Sequence, residues 1–118
     1  MSKPLSYDRA TEILDLIEQQ VKDNEALKEY YLSMIKAAGE YTKMRFDWFF
    51  MTLTQQKEAD DYRTTLHNAF LDACLLYCRF AEKLGLDASW YKKLSEGGRK
   101  VLGDLANYMT CFIGVSQR

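Results

Sequence analysis

Between Asp60 and Leu84 the chain reads DDYRTTLHNAFLDACLLYCRFAEKL. This stretch holds the only histidine, His67, and two of the three cysteines, Cys74 and Cys78. Metal binding is the first chemistry these residue types suggest. Cys74 and Cys78 are four apart, so on a helix they share a face. His67 and Cys111 would complete a set of four. His67 and Cys74, however, are separated by a helical rise of about 10 Å. Zinc ligands must converge to about 2.0–2.3 Å from one ion, and one rigid helix does not easily supply both. Cysteine is also among the most buried residue types without any metal. A di-iron bundle would want two Glu-x-x-His pairs, whereas no glutamate stands three before His67. No metal and no cofactor is expected.

Nucleophilic chemistry meets the same obstacle, because His67 lies far along the helix from either cysteine. Helical nucleotide pyrophosphohydrolases hold magnesium with paired acids on neighbouring helices. Glu12-x-x-Asp15 and Glu58-x-x-Asp61 offer two pairs, but their spacing differs from that family's pattern. Gly97-Gly98 lacks the lysine and serine context of a phosphate-binding loop.

What remains is a set of polar residues without an obvious reaction. Asn68 and Asp72 are four apart, and Arg79 lies seven beyond Asp72 on the same line. Arg63 and His67 form a second i, i+4 pair, at the edge of an apolar stripe. If their helix is central, these groups need partners. An unpaired buried polar group costs about 1–3 kcal/mol, and an unpaired charge more. Two readings follow. Full pairing between helices marks a structural network that fixes register. A concave pocket marks a small-molecule site near His67, either a binding site or a nucleotide-hydrolysing one using the Arg63/His67/Asp72 region. Arg45 belongs with this set because it projects from an apolar stripe. It either snorkels to solvent or pairs with Asp72 or Asp104.

The elements that must position these residues read as helices throughout. Ser6 is a candidate N-cap, and Ala10, Ile13, Leu14, Ile17 and Val21 follow at helical spacing. Asp23 or Asn24 ends this first helix. The second runs from about Glu25 to about Met51. The Asp60–Leu84 stretch is one long helix with Leu66, Phe70, Ala73, Tyr77, Ala81 and Leu84 on its stripe. Leu71, Leu75, Leu76 and Phe80 lie off that stripe, the pattern of a central, buried helix. Thr52 to Gln55 matches a capping box, an alternative start for this helix. Gly85 followed by Leu86 predicts a Schellman stop. Trp90, Tyr91 and Leu94 make a short helix capped by Asp87 or Ser89. The last helix runs from about Arg99 to Ile113, with Gly114 as its stop. No segment shows strand-like alternation with hairpin signals. The expected fold is an all-α, up-and-down bundle of four main helices plus a short one, in a single domain covering residues 1–118.

Composition bounds the partners. The 118 residues carry a formal net charge of −1 with both signs interspersed, which argues against nucleic-acid binding. No apolar run approaches a membrane span. An odd number of cysteines without an export signal fits reduced thiols in the cytoplasm. Phe46, Trp48, Phe49 and Phe50 put four rings into less than two helical turns. One face directs about half of them inward, so the rest should pack on something else. The expected partner is a second copy of the chain, in a homodimer through Phe46, Trp48 and Phe50.

Two blocks are similar to a known family. One is Arg63-Thr-Thr-Leu-His67-Asn68-Ala-Phe-Leu-Asp72, continuing to Cys78-Arg79. The other is Trp90, then Arg99-Lys100-Val-Leu-Gly103-Asp104-Leu-Ala-Asn-Tyr108, then Cys111. Together they resemble a small family of uncharacterised Gram-positive bacterial proteins, catalogued as domain of unknown function 3232. The resemblance covers the C-terminal half and implies an all-helical cytosolic domain with no assigned activity. It directs attention to Arg63, His67, Asn68, Asp72, Arg79, Arg99 and Asp104. The function expected from all this is a non-enzymatic, self-associating interaction module, with the small-ligand site as the alternative.

Overall fold

A computed structural model of the chain describes residues 4–116, with side chains over residues 4–112. The described residues are all-α. Helix α1 spans Tyr7–Asp23, and a 3-10 turn at Glu25–Leu27 joins it to α2, Lys28–Trp48. Helix α3 spans Leu53–Lys83, α4 is the short Trp90–Glu96, and α5 spans Arg99–Ser116. Four main helices and a short one match the expected bundle.

The helix ends follow from the local sequence. Ser6 Oγ accepts the Arg9 amide at 3.1 Å, capping α1. Thr52 and Gln55 form a reciprocal capping box, so α3 starts well before Asp60. Helix α3 stops in a Schellman motif: the Leu86 amide donates to the Ala81 carbonyl and the Gly85 amide to the Glu82 carbonyl. Gly85 has φ +78°, a conformation that favours glycine. Gly114 does not end α5, which runs on to Ser116. A mid-helix glycine costs only about 1 kcal/mol and stops nothing by itself.

The core joins Ile13 and Ile17 of α1, Met34 and Ala38 of α2, and Phe70, Cys74 and Tyr77 of α3. Trp90 of α4 and Leu105 and Met109 of α5 complete it. Helix α2 lies between α3 and α5 and makes the two largest helix–helix interfaces. This corrects the expectation that Asp60–Leu84 is central. Helix α3 buries Phe70, Cys74, Tyr77, Cys78 and Ala81, whereas Leu76 and Leu84 are exposed. Its extra apolar residues therefore do not mark burial all round. Because α3 and α5 both lie on α2 but touch each other little, a cleft is left between them. Among the described residues no helix is long and apolar enough to cross a membrane.

Candidate functional site

The cleft between α3 and α5 encloses about 510 Å³. Tyr41 and Arg45 of α2 line it, with Arg63, Thr64, His67 and Asn68 of α3 and Arg99 and Lys100 of α5. All of its charged lining residues are cations, in a chain whose net charge is −1. Composition therefore does not account for the accumulation.

Each cation is held differently. Arg45 Nη2 donates to Asp104 Oδ1 at 3.1 Å, and Asp104 Oδ2 accepts the Leu5 amide at 3.2 Å. This carboxylate thus ties Arg45 and the N-terminal segment to α5. Arg63 donates to Asp60 at 2.9 Å, and its guanidinium carbon lies 4.4 Å from the Trp48 ring centroid, a cation–π geometry. Arg99 donates to Asn68 Oδ1, bridging the cleft from α5 to α3. The His67 ring stacks on Tyr41 with centroids 4.6 Å apart. Gly103 lets Tyr41 and Arg45 pack close against α5. A Cβ there would lie 3.1 Å from Tyr41 Oη and 3.3 Å from Arg45 Nη1.

The electrostatics of the cleft are dominated by positive charge. Burial lowers the His67 pKa below its ordinary value, and the Arg99 charge lowers it further. The nearby Arg99 backbone opposes this, while the Arg45 and Arg63 charges reinforce it. The ring is therefore neutral at pH 7. Among the described residues, four buried side-chain nitrogens have no hydrogen-bond partner. Three of them are on residues that line this cleft: Arg45 Nη1, Arg63 Nε and His67 Nε2. The fourth, Trp90 Nε1, lies elsewhere, on the residue that packs by Ile13 and Leu16. Arg99 and Lys100 also occupy the first turn of α5, which contains no acid. The helix macrodipole favours negative charge there, so these two cations oppose the local rule. Rules broken locally without compensation concentrate at functional sites.

The structure divides the expected polar set. Arg63, His67, Asn68 and Arg99 come together in the cleft, and Asp104 stands behind Arg45. Arg45 thus takes Asp104 as its partner, not Asp72. Asp72 and Arg79 are exposed and lie outside the cleft. Asp72 borders a groove with Glu29, Tyr30 and Leu76, and Arg79 one with Leu86 and Tyr91. Five residues separate His67 from Asp72, which turns Asp72 about 140° round the helix from it. The expectation of one Arg63/His67/Asp72 region fails on that rotation. Tyr41, Thr64 and Lys100 were not anticipated. Tyr41 reads as an ordinary stripe residue, but an Arg99-Lys100 pair opening a helix without an acid was a usable signal.

The other candidates place as follows. Cys74 and Cys78 are buried and free, and burial, with Glu82 adding, pushes the Cys78 thiol up to about 12. Such thiols are poor nucleophiles and poor ligands. Glu12, Asp15, Glu58 and Asp61 are all exposed. Among the described residues no group of three or more His, Cys, Asp or Glu could hold a metal ion. At the α2–α3 tip, Phe46 is 63%, Phe49 79% and Phe50 75% exposed. Trp48 is half-buried under Arg63 and lines a groove with Leu53, which is 79% exposed. Compared with known proteins, the chain matches no family model, no curated protein and no solved structure.

Proposed function

We propose that this domain binds a small anionic ligand in the α3–α5 cleft. The observation that carries the reading is the coincidence of three unpaired buried nitrogens with a lining whose charges are all positive. A network built only to fix helix register would close on itself, since each unpaired group costs about 1–3 kcal/mol. The cavity is larger than an inorganic ion needs, so the anionic group belongs to a small organic molecule. No carboxylate lines the cleft, and binding is the activity we assign. Thermal unfolding tests this directly. AMP, glycerol 3-phosphate or citrate should raise the midpoint, and adenosine or glycerol should not. Saturation at a hundred times Kd should add about 2.7 kcal/mol. No response to any of the three anions would remove the reading.

A second reading, self-association, rests on the exposed rings of Phe46, Phe49 and Phe50. We propose that this tip packs against a second copy of the chain, because large exposed apolar patches mark interfaces. Sedimentation equilibrium at micromolar concentration should give a dimer that Phe50→Ser dissociates. A monomer mass unchanged by that substitution would end it. We also propose membership of the Gram-positive family that the C-terminal half resembles, because Arg63, His67, Asn68 and Arg99 carry both the resemblance and the cleft. A cytoplasmic location belongs to the same proposal, supported by three free cysteines. Relatives that keep the fold but replace these four residues would count against membership, and export of the chain from cells against the location.

A further inference from the structure

The four cations of the cleft are not equally occupied. Arg45 is paired with Asp104 and Arg63 with Asp60, each by a carboxylate that stands outside the lining. Arg99 and Lys100 differ. Among the described residues, neither has a carboxylate within ion-pair distance. Arg99 Nη2 donates instead to the neutral amide oxygen of Asn68, across the cleft on α3. Arg99, Lys100 and Asn68 are exposed, so a ligand reaches them without opening the core. Four cations less two paired carboxylates leave the cleft with two uncompensated positive charges, both at the start of α5.

Resting on the anion-binding reading, we propose that the cleft's ligand is a small phosphate monoester, bound as its dianion at Arg99 and Lys100. A doubly charged group matches the two uncompensated cations, whereas a monocarboxylate or a phosphodiester leaves one of them over. Arg99 and Lys100 line one cleft from adjacent positions, which suits one compact dianion better than two carboxylates held apart. A phosphate oxygen takes the place of Asn68 Oδ1 on Arg99. A neutral acceptor is thereby exchanged for a charged one, and charge-assisted hydrogen bonds are about twice as strong. The released Asn68 amide and the Thr64 hydroxyl, one turn before it, are neutral donors on the opposite wall. Arg45 and Arg63 keep their own carboxylates and add positive potential from α2 and α3. The first turn of α5 also favours negative charge through the helix macrodipole. A volume of about 510 Å³ leaves room for the organic part beside the phosphate.

The test is isothermal titration of the whole chain at constant ionic strength. Phosphate monoesters lose their second proton at about pH 6, so at about pH 8 glycerol 3-phosphate is a dianion. Glycerate has the same three-carbon skeleton with one charge, and succinate carries two charges on separate groups. Glycerol 3-phosphate should bind at least about tenfold tighter than either, the factor expected from one charge-assisted hydrogen bond. Asn68→Asp sets a carboxylate against Arg99 at almost unchanged volume and should erase the margin over glycerate. Lys100→Gln removes the second uncompensated charge and should narrow it. An affinity for glycerol 3-phosphate no tighter than for glycerate or succinate would overturn the dianion assignment and leave anion binding standing. A margin over glycerate that is unchanged in either variant would do the same. If none of the three binds, both readings fail. Should Asn68→Asp not fold, as judged by circular dichroism, Lys100→Gln decides alone: a narrowed margin supports the proposal and an unchanged one overturns it.

Discussion

Near the C-terminal end of α3, Gln20 is buried with both ends of its amide occupied. Its Nε2 donates to the Asp87 carbonyl at 2.7 Å, and its Oε1 accepts the Tyr77 hydroxyl at 3.0 Å. His67 stands ten residues before Tyr77 on α3, about 15 Å along the helix; it, Arg63 and the α2 residue Arg45 leave three buried nitrogens unpaired. Both regions place polar atoms among packed helices. The Gln20 region closes its hydrogen bonds within the chain and joins α1, α3 and the α3–α4 connection. The cleft region leaves its atoms without partners and gathers charge of one sign around them. Completeness of pairing, more than the presence of buried polar residues, separates a structural network from a candidate site.

Substitutions can break or sharpen that contrast. The largest effect is expected from Asp104→Ala, which strips Arg45 of its one carboxylate and leaves the Leu5 amide unpaired. Removing one partner of a fully buried pair costs about 3–5 kcal/mol. The two side chains here are 25% and 15% exposed, and solvent screening reduces the expected loss to about 2–3 kcal/mol. Urea denaturation checks it. Tyr77→Phe should follow at about 1–2 kcal/mol, because it leaves the buried Gln20 carbonyl without its donor. A negligible loss would mean that the Gln20 network is not structural. Asp72→Ala should change the midpoint least, by less than about 0.5 kcal/mol, as at other exposed positions. A loss as large as that of Asp104→Ala would show that Asp72 has a partner after all.

Much of the fold was legible because periodicity and caps are local. Ser6, the Thr52–Gln55 box and Gly85 each mark a helix end that the structure keeps. Which helix is central was not legible. The apolar residues Leu71, Leu75, Leu76 and Phe80 pointed to α3, but α2 lies between its neighbours. That outcome depends on how whole helices stack, which no local pattern records. The candidate site was half legible for the same reason. Arg63, His67 and Asn68 fall within two turns of one helix, so their grouping is a matter of spacing. Tyr41, Arg45 and Lys100 reach the same cleft from α2 and α5 only because the helices pack as they do. Asp72 and Arg79 were drawn in by helical lines that diverge from the cleft face once the rotation per residue accumulates.

The proposal of anion binding distinguishes the residues that carry the three unpaired nitrogens from the paired Gln20 network. Heteronuclear NMR of side-chain N–H groups during titration with inorganic phosphate tests it most directly. The Arg63 Nε–H resonance should move saturably, together with those of Arg45 and the His67 ring. The Gln20 amide should stay still. An unmoved Arg63 signal, or a Gln20 shift of equal size, would contradict the account.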